Sequence, residues 1–364
     1  MQFDEDAVVA IPVRDEEDTL GACLSALARQ TRRPRAIVLL LNNCTDLSLD
    51  ICKAALSYLP LHIVERTLSG EDASAGEARR LALSHAAALA PSGVILTTDA
   101  DAVPPDDWVA QNLAEIGRGA EAVCGQARID AAGAWLIPER LHEEHRKESA
   151  CLAALDALHA AIDPDPADPW PRHQSQPGAS IAVTSAALKR AGGPPHVATA
   201  EDRTLIARLR MVDARIRHAP QIEVTVSGRL HGRAAGGMAD TIRRRIKAPD
   251  PYADPALEPA IDAYRRAIAK ARLRRVYHAG EDARALAEDL LIPAPFMARA
   301  LKLAFFGAAW AQVQLLSPVL QRRRLPAADL PRETRLARLL HEQWIADLSQ
   351  PASVAATGGQ RLAG

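Results

Sequence analysis

Three short apolar runs, residues 7–12, 36–41 and 94–98, each stop abruptly at a polar cluster, and this rhythm narrows the choice of folds most. Between the first two, Leu20, Cys23, Leu24 and Leu27 recur at helical spacing. Runs as continuously apolar as Val8-Val9-Ala10-Ile11 and Ile37-Val38-Leu39-Leu40-Leu41 suit strands buried on both faces. Further strands are predicted at 61–65, 122–129, 178–183 and 215–226, and helices at 77–89, 108–116, 136–161, 186–191 and 203–212. Strands alternating with helices at this pace predict an α/β fold with a mostly parallel sheet between helices. In such sheets ligands bind beyond the carboxyl ends of the strands. The clusters 14–17, 42–46 and 99–101 all fall at carboxyl ends.

The last cluster is Asp99-Ala100-Asp101, closed off by Pro104-Pro105. Two carboxylates one residue apart at a strand end can share a divalent cation, and oxygen donors suit Mg²⁺ or Mn²⁺. Solvated loop acids are the plainer reading of the same pair. Acids at Glu16 and Glu17, and again at Glu201 and Asp202, are read from their position alone as helix N-terminal charges.

Several classes are excluded. No GxGxxG follows the first strand and no GxxxxGK[ST] occurs, so dinucleotide-binding and P-loop readings lack a phosphate cradle. A dehalogenase-type phosphatase places its DxD on the first strand, whereas three strands precede this one. The net charge of −1 points to no particular partner, and the arginine excess between residues 203 and 247 fits an anionic ligand or membrane surface as readily as nucleic acid; no nucleic-acid partner is expected. Five scattered cysteines without a CxxC pair suggest free thiols, and an acidic N-terminus that lacks a basic n-region followed by an apolar h-region suggests a cytoplasmic protein.

Beyond residue 240 proline-broken helices are predicted at 256–276, 282–291, 295–320 and 331–348. The apolar stretch 296–316 is expected to pack against the sheet, with an interfacial membrane helix as the rival reading. The expected organisation is a sheet domain over 1–239, a helical extension over 240–349 and a frayed tail over 350–364.

Together, Ile11-Pro12-Val13-Arg14-Asp15-Glu16-Glu17, Leu41-Asn42-Asn43-Cys44-Thr45-Asp46, Asp99-Ala100-Asp101, Gly178-Ala179-Ser180 and Glu201-Asp202 stand in the order of a family 2 glycosyltransferase. The resemblance runs from about residue 8 to 237 and implies the GT-A fold, nucleotide-diphospho-sugar binding and cytoplasmic hexosyl transfer with inversion. It implies that Pro12, Arg14, Glu16 and Asn42 line the nucleotide, and that Asp99 and Ala100 face the ribose. Asp101, with Asp99, would hold Mg²⁺ or Mn²⁺, and Asp202 would be the general base. His231 is the expected third metal ligand and His218 its rival.

Two positions depart from the family pattern. Asn42 replaces the usual aspartate, and Ala75 stands where some relatives carry lysine, a charge that Arg79 or Arg80 could supply. The donor is expected to be a UDP- or GDP-sugar. Arg229 and Arg233 suggest an anionic acceptor, or binding of the diphosphate itself. Alternatives are a catalytically weakened GT-A-like binding protein, or a protein that docks to a membrane (the inner face, peripherally) or a partner through its C-terminal helices.

Overall fold

The computed structural model describes residues 7–232 and 237–349. The chain divides into two compact units, one holding residues up to 138 together with 172–248, the other 139–171 together with the chain from 249 onward.

The first unit is built on eight strands: β1 (Ala7–Val13), β2 (Ala36–Asn42), β3 (Leu61–Arg66), β4 (Val94–Thr97), β5 (Ala102–Val103), β6 (Ala122–Ile129), β7 (Ile181–Thr184) and β8 (Ile216–Val226). Their order is β3-β2-β1-β4-β7-β6-β8-β5. The first four are mutually parallel, β6 and β8 run the same way, and only β7 and β5 are antiparallel to their neighbours. This is the mostly parallel α/β sheet expected from the sequence.

Period-2 alternation divides each strand between two cores. Val9, Ile11, Val13, Ile37, Leu39 and Leu96 pack with Leu20, Leu24 and Leu27 of helix Leu20–Ala28 and with Trp108. Val8, Ala10, Val38, Leu40 and Ile95 pack with Ala78, Ala82 and Ala86 of helix Ala75–Leu89, and with Leu205, Ile206 and Leu209 of helix Glu201–Met211. Because both faces are covered, functional groups are left to the strand ends. The chain leaves β1 toward β2 and β3, then returns to β4 on the other side of β1. The carboxyl ends of β1 and β4 therefore flank a topological switch point, where an open α/β sheet leaves a crevice.

The second unit is helical. Helix Glu139–Ile162 buries Cys151, Ala154 and Leu155 against Leu257, Ala260, Leu330 and Ala337, and Leu158 and Ile162 against Ala267. The single helix expected over 136–161 is instead two, Ala131–Leu136 and Glu139–Ile162, separated at Ile137-Pro138. The boundary expected near residue 239 also differs, because the longer helix buries its apolar face with partners beyond residue 249.

The stretch 295–320 likewise divides into helices Ala294–Ala300 and Phe306–Leu316 and a 3₁₀ turn at Pro318–Leu320. The bend lets Met297, Ala300, Phe306 and Val313 join one core cluster with Leu273 and Leu286 of the same unit. Among the described residues no helix is long and apolar enough to cross a membrane.

Candidate active site

The loops after β1 and β2 are fastened to each other. Asp15 Oδ1 accepts from the Thr45 amide at 2.7 Å, Asp46 Oδ2 accepts from the Glu17 amide at 2.9 Å, and the Glu16 amide donates to Ser48 Oγ at 2.8 Å. Asp15, Asn43 and Ala200 hold left-handed backbone, with φ of 51°, 54° and 56°. Non-glycine residues there cost about 1–2 kcal/mol each. Asp15 and Asn43 follow β1 and β2, and Ala200 directly precedes Glu201-Asp202, so three of the five such non-glycine positions among the described residues lie beside candidate site residues; the other two are Asp213 and Leu291.

Glu16 does not cap the helix that follows, which begins at Leu20 with no acid in its first turn. Its buried carboxylate is gripped by both terminal nitrogens of Arg229 and accepts from Thr19 Oγ1 at 2.8 Å. Arg229 Nη2 also lies 3.3 Å from Asp101 Oδ2. Pairing of β5 with β8 brings this arginine here by laying Ala102 beside Val226, and the Ser227 amide then donates to the Asp101 carbonyl at 3.2 Å. Gly133 and Gly228 meet backbone to backbone, where a Cβ on either would overlap the other, and this fixes the turn that presents Arg229.

A second arginine serves the other aspartate. Arg79 is buried and donates to Asp99 Oδ1, to Glu201 Oε1 at 2.9 Å, to Thr97 Oγ1 at 2.7 Å and to the Gly178 carbonyl at 3.1 Å. A Cβ on Gly178 would stand 2.8 Å from the guanidinium carbon, so glycine is what lets the backbone come this close. Burial alone would lower the Arg79 pKa, but Asp99 and Glu201 outweigh it and hold the side chain charged. Of the two arginines weighed for the absent lysine, Arg79 reaches the aspartate, whereas Arg80 pairs with Glu77.

Next to Glu201, Asp202 accepts through Oδ2 from the Gly178 amide at 3.1 Å and through Oδ1 from the Arg203 amide at 2.7 Å. Its pKa is raised, chiefly by burial and also by Glu201, against the lowering effect of these amides and of Arg79. The Asp202 carboxylate is thereby tied to the DxD edge through Gly178 and through the chain Glu201–Arg79–Asp99.

The other expected residues are placed as follows. Ala100 is buried, Pro12 is half-buried in β1 opposite Leu40, and Arg14 is exposed. Asn42 is buried and its Oδ1 has no hydrogen-bond partner among the described residues, while Asn43 ties the loop to Leu68. His231 is exposed, and His218 is buried beside His173 with Arg210 Nη2 3.3 Å from its Nε2. Among the described residues, the three-residue groups with ligand atoms within 4.8 Å are Asp15/Cys44/Asp46 and Asp72/Glu77/His196, so neither histidine joins Asp99 and Asp101 in one. Arg233 lies outside the described residues.

Asp101 has the carboxylate chemistry a divalent cation needs. Its pKa is pushed up to about 7, mainly by burial and then by Asp99, with Glu16 adding and Arg229 opposing. A cation could take the place of the proton, and hard oxygen donors favour Mg²⁺ or Mn²⁺. Mn²⁺ affinity is therefore expected to rise with pH up to about 7 and then level off, because below that value the proton competes. Calorimetry between pH 5.5 and 8.5 checks this, and a flat profile would rule out Asp101 as the ligand.

The helix carrying Arg79 starts hard against the segment leading to Ala200. Gly76 donates to the Ala198 carbonyl at 3.2 Å, and a Cβ on it would overlap the Val197 carbonyl oxygen. Gly76→Ala is expected to cost about 1–3 kcal/mol, since the obstruction is backbone rather than a mobile side chain. Thermal denaturation measures it, and an unchanged Tm would mean that the segment yields freely.

Residues 8–159 match the model of glycosyl transferase family 2. No curated protein matches the chain significantly. Among solved structures, TarS 1-349 of S. aureus in complex with UDP-GlcNAc is 17% identical, with a TM-score of 0.48 over 94% of this chain and 92% of that one. The mannosyltransferase PcManGT from Pyrobaculum calidifontis, with GDP-Man and Mn²⁺, is 19% identical, with a TM-score of 0.45 over 94% and 86%. Glucosyl-3-phosphoglycerate synthase from Mycobacterium tuberculosis, with Mn²⁺, UDP and phosphoglyceric acid, is 16% identical, with a TM-score of 0.39 over 71% and 82%. The family 2 match covers the loops after β1 and β2, Arg79 and both aspartates; Asp202 and Arg229 lie beyond it.

Proposed function

We propose that this chain is a glycosyltransferase that moves a sugar from a UDP- or GDP-sugar to an acceptor hydroxyl with inversion, with Asp202 as general base. The observation that supports this reading is the chain Asp99–Arg79–Glu201, which links the neighbour of Asp202 to the Asp99-Ala100-Asp101 edge, within the stretch 8–159 that matches the family 2 model. Asp202 takes the proton of the acceptor hydroxyl, whose oxygen forms a bond to the anomeric carbon while the bond to the diphosphate oxygen breaks. The electron pair leaves with the diphosphate. A carboxylate whose pKa is raised, yet which two amides hold in place, suits that work, because a base acts best with its pKa near the working pH.

Asp101 and Asp99 would hold a divalent cation, which when bound neutralises charge on the diphosphate. Arg229 holds Asp101 and Glu16 in the meantime, and its guanidinium can turn to phosphate oxygens, which it matches in geometry.

Titration with UDP and with GDP, with and without Mn²⁺, tests the donor site. Metal-dependent binding of one nucleotide, lost in Asp101→Ala, is expected. Absence of binding by either nucleotide under any metal would remove the reading.

A further inference from the structure

The second unit carries a stretch of unusual charge. From residue 290 to 328 the sequence contains no aspartate or glutamate, although acids number 45 in 364 residues, and it contains Arg299, Lys302, Arg322, Arg323 and Arg324. The last three are engaged, Arg322 with Glu258, Arg323 with Asp262 and Arg324 over the Tyr252 ring. Arg299 and Lys302 are exposed, and among the described residues neither forms an ion pair.

The short helix Ala294–Ala300 turns Met297 and Ala300 into the core and leaves Phe296 and Arg299, three apart and so on one side, facing out. Phe296 is 45% exposed, and Leu291 and Leu303 on either side of the helix are 65% and 38% exposed. Leu291 also holds a φ of 53°, a left-handed position that glycine or asparagine fills at least cost. A bulky apolar side chain is thus kept in water, at a position where the backbone itself favours a small residue. Glu288 and Asp289 precede this segment, and Asp289 is paired with Arg272, but from Leu291 to Leu303 exposed apolar groups alternate with Arg299 and Lys302 and no acid intervenes, the complement of an anionic bilayer surface.

We propose that the segment 291–303 docks the protein peripherally on anionic lipid. Leu291, Phe296 and Leu303 enter the boundary between headgroups and acyl chains, while Arg299 and Lys302 meet lipid phosphates. Such contact needs no spanning helix, and it stands independently of the transfer reaction.

Flotation of the full-length protein with phosphatidylglycerol-containing vesicles, and with pure phosphatidylcholine vesicles, tests it. Binding is expected to the anionic vesicles only, and to weaken with salt. Arg299→Gln and Lys302→Gln are each expected to weaken it about five-fold, and Leu291→Ser with Phe296→Ser to abolish it, all at unchanged Tm and nucleotide binding. Equal binding to both vesicles, undiminished binding by the variants, or no binding to lipid at all would overturn the proposal, the last leaving an acidic protein as the partner of this face.

Discussion

Asp202→Asn is expected to lose about 10²–10⁴-fold in kcat while nucleotide binding stays within a factor of a few of the native value. The amide is nearly isosteric, and its carbonyl oxygen can still accept from the Gly178 or the Arg203 amide, so the turn at residues 200–203 keeps its shape. What disappears is the ability to take a proton from an acceptor hydroxyl. The pH profile offers a second readout. Because burial lifts the Asp202 pKa, the acid limb of the native rate profile should lie at higher pH than an exposed aspartate would give, and the residual rate of the variant should lack it. Parallel losses in kcat and in nucleotide affinity would instead make Asp202 a structural residue. An unaltered kcat would remove it from the chemistry.

The largest stability effect is expected at Arg79→Met. Methionine fills much the same volume but makes none of the bonds to Asp99, Glu201, Thr97 and the Gly178 carbonyl. Two carboxylates would then face each other at the sheet edge without their shared cation. Removing one partner of a buried ion pair costs about 3–5 kcal/mol, most of it from the charge left behind. Arg79→Lys should recover only part, since a lysine ammonium cannot reach four acceptors with a planar fork. Urea unfolding of the three proteins at pH 7 measures all of this. A loss below about 1 kcal/mol for the methionine variant would mean that solvent relieves the carboxylates and that the site is wetter than its burial implies.

Much of the first unit was legible in the sequence, for a local reason. β1, β2 and β4 are continuous apolar runs ended by charged or amide residues, and a strand buried on both faces has few other ways to look. The edge bearing Glu16, Asp99 and Asp101 followed from strand direction. The partners of those acids did not. Arg229 meets Glu16 from 213 residues away, and an isolated arginine in a glycine-rich stretch carries no local mark of its destination. Glu201 looked like a helix-terminal charge, which it is, but its bond to Arg79 depends on two glycines, Gly76 and Gly178, whose importance lies in what they touch. The helix Glu139–Ile162 was foreseen as a helix but not as part of the second unit, because its apolar face has the same pattern whichever core receives it.

That last feature bears on how the molecule can be taken apart. Each unit is assembled from two separated lengths of chain, so the polypeptide passes from one to the other three times, near residues 138, 171 and 248. No single cut can release either piece intact. A truncation at residue 239 would strip helix Glu139–Ile162 of Leu257, Ala260, Ala267, Leu330 and Ala337, and leave Leu155, Leu158 and Ile162 bare. Such a fragment would aggregate through that face even with its eight-stranded sheet whole. During synthesis the same helix must wait about 95 residues, from Ile162 to Leu257, before its partners emerge, a long interval in which its apolar face stays uncovered by them.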